Sequence, residues 1–156
     1  MIGKRNNFVL SKVAEWLCVV TPLLIGLLII LYLRPEDRVV LLSAVRHGRL
    51  EDVQRLIVEK KVSVDSRNNS GNTPLMLAAA GGYFDIVEFL VHHGANLNAT
   101  NGDGRTALML AAVGNQTRVV RYLSRNGADA NIRDKTGLTV FDIAKTNVDV
   151  AGSLPK

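Results

Sequence analysis

Two stretches of this chain, GNTPLMLAAAGGYFDIVEFLVHHGANLNA from Gly71 and GRTALMLAAVGNQTRVVRYLSRNGADANI from Gly104, align without a gap at a spacing of 33 residues. Gly137 continues the series, Thr73, Thr106 and Thr139 keep step with it, and Gly94 matches Gly127 as Asn98 matches Asn131. A period of this length makes each unit one small supersecondary element that cannot bury its own apolar face, so neighbouring units must stack to form a core.

The repeated letters have mechanical readings. Thr73 is placed to cap a helix whose first residue is Pro74, where the missing amide loses nothing. Ala78, Ala79, Ala111, Ala112 and Ala144 let neighbouring helices approach closely, and Gly82 or Asn115 can take the left-handed conformation that ends the helix. A second helix presents Ile86, Val87, Phe89 and Leu90 in one unit and Val119, Val120, Tyr122 and Leu123 in the next, until Gly94 and Gly127 stop it. The pattern G-x-T-P-L-x-x-A-A, then G, I-V, L and G-A-x-x-N, resembles the ankyrin repeat at its usual length.

The resemblance implies an all-α ankyrin-repeat solenoid of about four repeats, built of helix-turn-helix pairs with β-turn or hairpin tips. Residues 68–100 and 101–133 are the full central repeats, residues 35–67 and 134–148 are degenerate capping repeats, and 149–156 read as a C-terminal tail. The leading repeat keeps Ala44 and Gly48, lacks Thr-Pro, and carries one extra residue near Lys60 and Lys61. The last keeps Gly137, Thr139 and Ala144 but no full second helix. Such ends suit a solenoid, whose outer faces must be wet. At Met76 and Met109 the family usually has a histidine, which puts its local hydrogen-bond support in doubt here.

Ahead of the repeats the composition changes. WLCVVTPLLIGLLIILYL, residues 16–33, carries no charge, although the whole chain has 19 basic and 14 acidic residues. At 1.5 Å per residue this run extends roughly 27 Å, close to the hydrocarbon thickness of a bilayer. Trp16 and Tyr32 stand at its two ends, where amphipathic rings favour the headgroups, with Leu24 and Leu28 in the hydrocarbon and Lys12 and Arg34 outside. The expectation is a transmembrane helix over residues 13–34 behind a short basic tail, 1–12. A cleaved signal peptide would be shorter and followed by a small-x-small site, which is lacking after Tyr32. A soluble helix apolar all round would need a larger host. Cys18, the single cysteine, lies in the run, so no intrachain disulfide forms. Gly26 and Thr21 offer small or polar points where this helix could pack on another. Basic residues flank the run almost equally. The three in the leading tail favour its retention in the cytoplasm, with the repeat domain outside a bacterial inner (plasma) membrane.

Charge and chemistry narrow the function. The net charge of +5 is spread among acids, and aromatics are only 5%, which argues against nucleic acid. His92 and His93 are adjacent on a helix and diverge by about 100°, an unsuitable pair for one metal. The glycines of NGDG, residues 101–104, lack the Lys-Ser or Lys-Thr of a phosphate loop. No nucleophile has a positioned base, so neither an enzyme, nor a cofactor, nor a small-molecule substrate is expected. The ankyrin resemblance implies instead that a protein partner binds on the concave face and turn tips. The matching residues are Arg46, His47, Arg67, Asn69, Asn72, Asp103, Arg105, Val113, Arg133, Lys135 and Leu138, a basic set that suits an acidic partner unless its charges serve only solubility. The expected function is a membrane-tethered accessory or scaffolding subunit. The alternative is an immunity-like inhibitor that blocks an enzyme near the membrane.

Overall fold

The computed structural model describes residues 35–145 and 148–154. The basic tail and the expected transmembrane helix over 13–34, with Trp16, Leu24, Leu28 and Tyr32, lie outside the described residues. Among the described residues no helix is long and apolar enough to cross a membrane.

Thr73 Oγ1 accepts the Met76 amide at 3.3 Å, Thr106 Oγ1 accepts that of Met109 at 3.3 Å, and Thr139 Oγ1 accepts that of Asp142 at 3.4 Å. Each threonine thereby starts the first helix of its unit. These are α3 (Pro74–Gly81), α5 (Ala107–Val113) and α7 (Val140–Ala144), preceded by α1 (Pro35–Arg46) in the leading unit. The second helices are α2 (Leu50–Gln54), which runs into a π turn (Arg55–Glu59), then α4 (Phe84–His92), α6 (Thr117–Arg125) and α8 (Val148–Ala151). The described residues form no strand. Helix α5 packs between α3 and α7, while α2, α4, α6 and α8 make a second row. Ala78, Ala79, Ala111 and Ala112 are buried between the stacked first helices, where a larger side chain would push the units apart. Ile86, Val87 and Leu90 of α4 and Val119, Val120 and Leu123 of α6 close the core from the other side.

In the first and last of the three threonine-capped units another side chain takes the place of the missing histidine. The Thr73 amide donates to Met76 Sδ at 3.4 Å, a weak acceptor in the place of an imidazole, and in the last unit the Thr139 amide donates to Asp142 Oδ2 at 3.0 Å.

The extra residue of the leading unit is absorbed in its second helix. The amides of Gly48 and Arg49 bond back to Val45 and Ala44 just as those of Gly82 and Tyr83, 34 positions on, bond to Ala79 and Ala78. By Val62 the register is restored: its amide reaches the Leu56 carbonyl as that of Ala95, 33 positions on, reaches Leu90. The π turn between these points holds one more residue per turn than an α-helix would. The chain leaves it through Lys61 at φ 55°, where the next two units have Gly94 and Gly127. Lys61→Gly is therefore expected to stabilise the domain by about 0.5–1 kcal/mol, since the relief of a left-handed side chain outweighs the freedom glycine adds to the unfolded chain. Urea unfolding followed by circular dichroism reads this directly, and a loss of stability would refute it.

The C-terminal end differs from expectation. Residues 149–156 read as a tail, yet Val150 and Leu154 are buried in the core, at 0% and 8% exposure. The last full unit would otherwise present an apolar stacking face to water, and α8 with the turn after it covers part of that face.

Candidate functional site

Each turn tip is built on one side chain. Asn68 Oδ1 accepts the amides of Ser70 and Asn72, Asn101 Oδ1 those of Asp103 and Arg105, and Asp134 Oδ1 those of Thr136 and Leu138. The tips are then joined edge to edge. The Gly102 amide donates to the Ser70 carbonyl and the Lys135 amide to the Asp103 carbonyl, both at 2.9 Å. A second rung lies behind them, where Asp65 Oδ1 accepts the Asn96 amide and Asn98 Oδ1 the Asp129 amide. The tips thus form one continuous edge with its backbone groups paired along it.

This edge holds the basic residues expected to meet a partner, but most of them are engaged by the fold. The Arg67 guanidinium donates to the Gly71 and Thr100 carbonyls, at 3.1 and 2.7 Å. Arg133 donates to the Gly137 carbonyl at 2.7 Å. Arg105 Nε lies 3.4 Å from Asp134 Oδ2, whose side chain is 1% exposed. Asn72 Oδ1 accepts from Asn101 Nδ2 at 2.7 Å. Asn69, Asp103 and Lys135 are exposed, and Val113 and Leu138 present apolar surface at 55% and 43% exposure.

Arg46 and His47 stand apart from the others, at the end of α1. With Arg38, Val39, Leu42 and Ser43 of the same helix and Asn68, Asn69 and Ser70 of the first tip, they line a groove of about 380 Å³. His47 Nδ1 donates to the Ser43 carbonyl at 2.8 Å, which fixes the ring along the helix end. The Tyr83 hydroxyl donates to the Arg46 carbonyl at 3.2 Å and ties that end to the next unit. Arg38, Leu42 and Ser43 went unrecognised in the sequence because the degenerate leading unit offers no letters to align there. The spacing of Arg38, Leu42 and Arg46, at i, i+4 and i+8, was the available signal, since such residues share one helix face.

A family model for ankyrin repeats, in three copies, matches residues 41–134. This chain belongs to the ankyrin-repeat family. No curated protein matches it. Ankyrin repeats are protein-interaction modules and are generally not enzymes. Among the described residues no group of three or more His, Cys, Asp or Glu side chains is placed to hold a metal. His92 and His93 are each bonded at Nδ1 to the carbonyl one turn earlier in this ankyrin domain.

The tip carboxylate Asp134 is held below its ordinary value of 3.8, chiefly by the Thr136 hydroxyl, with the Leu138 and Thr136 amides and Arg105 adding to it against the opposing effect of burial. Asp142 is lowered as well, first by Lys145 and then by the Thr139 amide and hydroxyl. A carboxylate whose folded pKa is depressed binds fewer protons in the native than in the unfolded state. Its contribution is present in full above the unfolded value and is lost as pH falls through the folded one. The domain is thus expected to hold constant stability from neutrality to about pH 5 and to weaken progressively below about pH 4. Asp134→Asn should flatten that acid limb in urea titrations at stepped pH, and an unchanged limb would show that other carboxylates set it.

Proposed function

We propose that this ankyrin-repeat protein is a membrane-tethered interaction module, an accessory or scaffolding subunit that holds a protein partner against its concave face and turn tips. The tether is the uncharged run over residues 16–33, long enough for a bilayer and flanked by Trp16 and Tyr32. The observation that carries the reading is the adjacency of that run to a solenoid of a protein-binding family. Such an anchor confines the domain near the membrane and raises its effective concentration towards a partner there without adding a contact. The domain is assigned to the extracytoplasmic side of a single-pass inner (plasma) membrane protein on the basic residues of the leading tail.

The test is a pair of mild-detergent pull-downs, with the whole chain and with a form beginning at Arg34. Capture of one stoichiometric partner by both makes the ankyrin face the recognition element and the run its anchor. Capture by the whole chain alone assigns docking to the run itself. A partner enzyme that loses activity in the complex would make the protein an inhibitor rather than a scaffold. Recovery of the whole chain in the soluble fraction, without detergent, would refute the tether.

A further inference from the structure

We infer that the groove along α1 takes an extended acidic segment of a partner protein, with an aliphatic side chain between two carboxylates in the order acid-x-aliphatic-x-acid. This deepens the reading of the chain as a protein-interaction module and rests on it.

The first argument is charge. Arg67, Arg105 and Arg133 have their guanidinium groups bonded to backbone carbonyls or to Asp134 within the tip edge. Arg38 and Arg46 have neither an ion pair nor a side-chain hydrogen bond among the described residues. Among the described residues no acidic one lines the groove. Two guanidiniums without counter-charge on one helix face attract carboxylates, which they can take in a bidentate, charge-assisted geometry.

The second argument is spacing. Arg38, Leu42 and Arg46 follow one another at one-turn intervals, which places them about 6 Å apart along the axis of α1. In an extended peptide, alternate side chains face the same way at intervals of about 6.6 Å. A peptide lying along α1 would thus set an acid against each arginine and an aliphatic residue over Leu42. Val39, 60% exposed and in the same groove, enlarges the apolar floor. On the opposite rim, Asn69 and Ser70 add an amide and a hydroxyl within reach of a peptide backbone. A free anion or a lipid headgroup would use the arginines but not the apolar floor between them.

The test uses the full chain in nonionic detergent as bait for a display library of seven-residue peptides. The expected outcome is enrichment of acid-x-aliphatic-x-acid sequences, with binding of the selected peptide weakened at least tenfold by Arg38→Ala with Arg46→Ala. It should also weaken on exchange of the central aliphatic residue for serine and stay unchanged in Arg125→Ala. Enriched peptides without acids, or peptides that the double variant still binds within twofold, overturn the inference. Peptides lost on Leu138→Ala or Lys135→Ala instead would leave the interaction-module reading standing and move its site to the later tips. If no peptide is enriched but phosphatidylglycerol-doped micelles are held in an arginine-dependent way, the groove is a lipid site and the inference falls. No enrichment together with an empty pull-down removes both readings.

Discussion

Leu90→Ala is expected to lower the unfolding free energy of the ankyrin domain by about 3–4 kcal/mol, within the range for truncating a fully buried leucine. Leu90 is 0% exposed near the end of α4, the second helix of the first full repeat. Helix α4 packs on α3 in its own unit and on α2 and α6 in the units either side, so a cavity there loosens two interfaces at once. In a solenoid whose stability is a sum of unit and nearest-neighbour contributions, a weakened inner unit uncouples the two halves. The transition followed by circular dichroism should therefore shift and also broaden. Leu90→Met, which keeps the volume, should cost less than about 1.5 kcal/mol and leave the transition sharp. A change below about 1 kcal/mol for Leu90→Ala would mean that neighbours collapse into the space, and that the core is less rigid than its burial indicates.

How far the sequence can be read depends on whether a residue's role is repeated. Thr73, Thr106 and Thr139 do one job in three places, and the alignment alone places the helix starts that the structure has. Ala78 and Ala111 are legible for the same reason. The extra residue beside Lys60 and Lys61 is visible as a break in the period, but that it would be taken up as a π turn upstream of them is a matter of local backbone geometry, which no alignment carries. Val150 and Leu154 are hidden in the sequence because their role, covering the last stacking face, occurs once.

The candidate site divides along the same line. Arg67 and Arg133 stand two periods apart, and that regularity is a sign of their structural use: each donates to the carbonyl of the glycine four residues on, while Arg105, at another position of its unit, is held by Asp134. Arg38 and Arg46 fall in a unit that has lost much of the repeat's pattern, and among the described residues neither has an ion-pair partner at the groove. A periodic charge in a solenoid is explained first by the fold, whereas an aperiodic one at its end calls for another explanation, and an acidic partner supplies it.

Gly104→Val tests the paired tip edge, and here the expected loss is about 3 kcal/mol, from a left-handed backbone that a β-branched residue tolerates poorly and from overpacking at the tip. Gly104 has φ 76°, and a Cβ there would stand 3.0 Å from the Lys135 nitrogen and 3.2 Å from the Asp134 Cα. Both are backbone atoms and cannot rotate aside, so the Lys135 amide must draw away from the Asp103 carbonyl it now bonds at 2.9 Å. Gly137 supplies the control. It has the same turn position and φ 82°, yet nothing lies within 4 Å of a Cβ built on it. Gly137→Val should then lose only the conformational part, about 1–2 kcal/mol, and the difference between the two variants measures the tip-to-tip contact. Equal losses would show that the edge carries no energy of its own. The same pair separates the two halves of the candidate surface. Gly104→Val displaces Asp103, Arg105 and Lys135 but leaves Arg38, Leu42 and Arg46 where they are, so a partner held in the α1 groove should bind it unchanged at temperatures where the domain remains folded, whereas a partner held by the later tips should be lost.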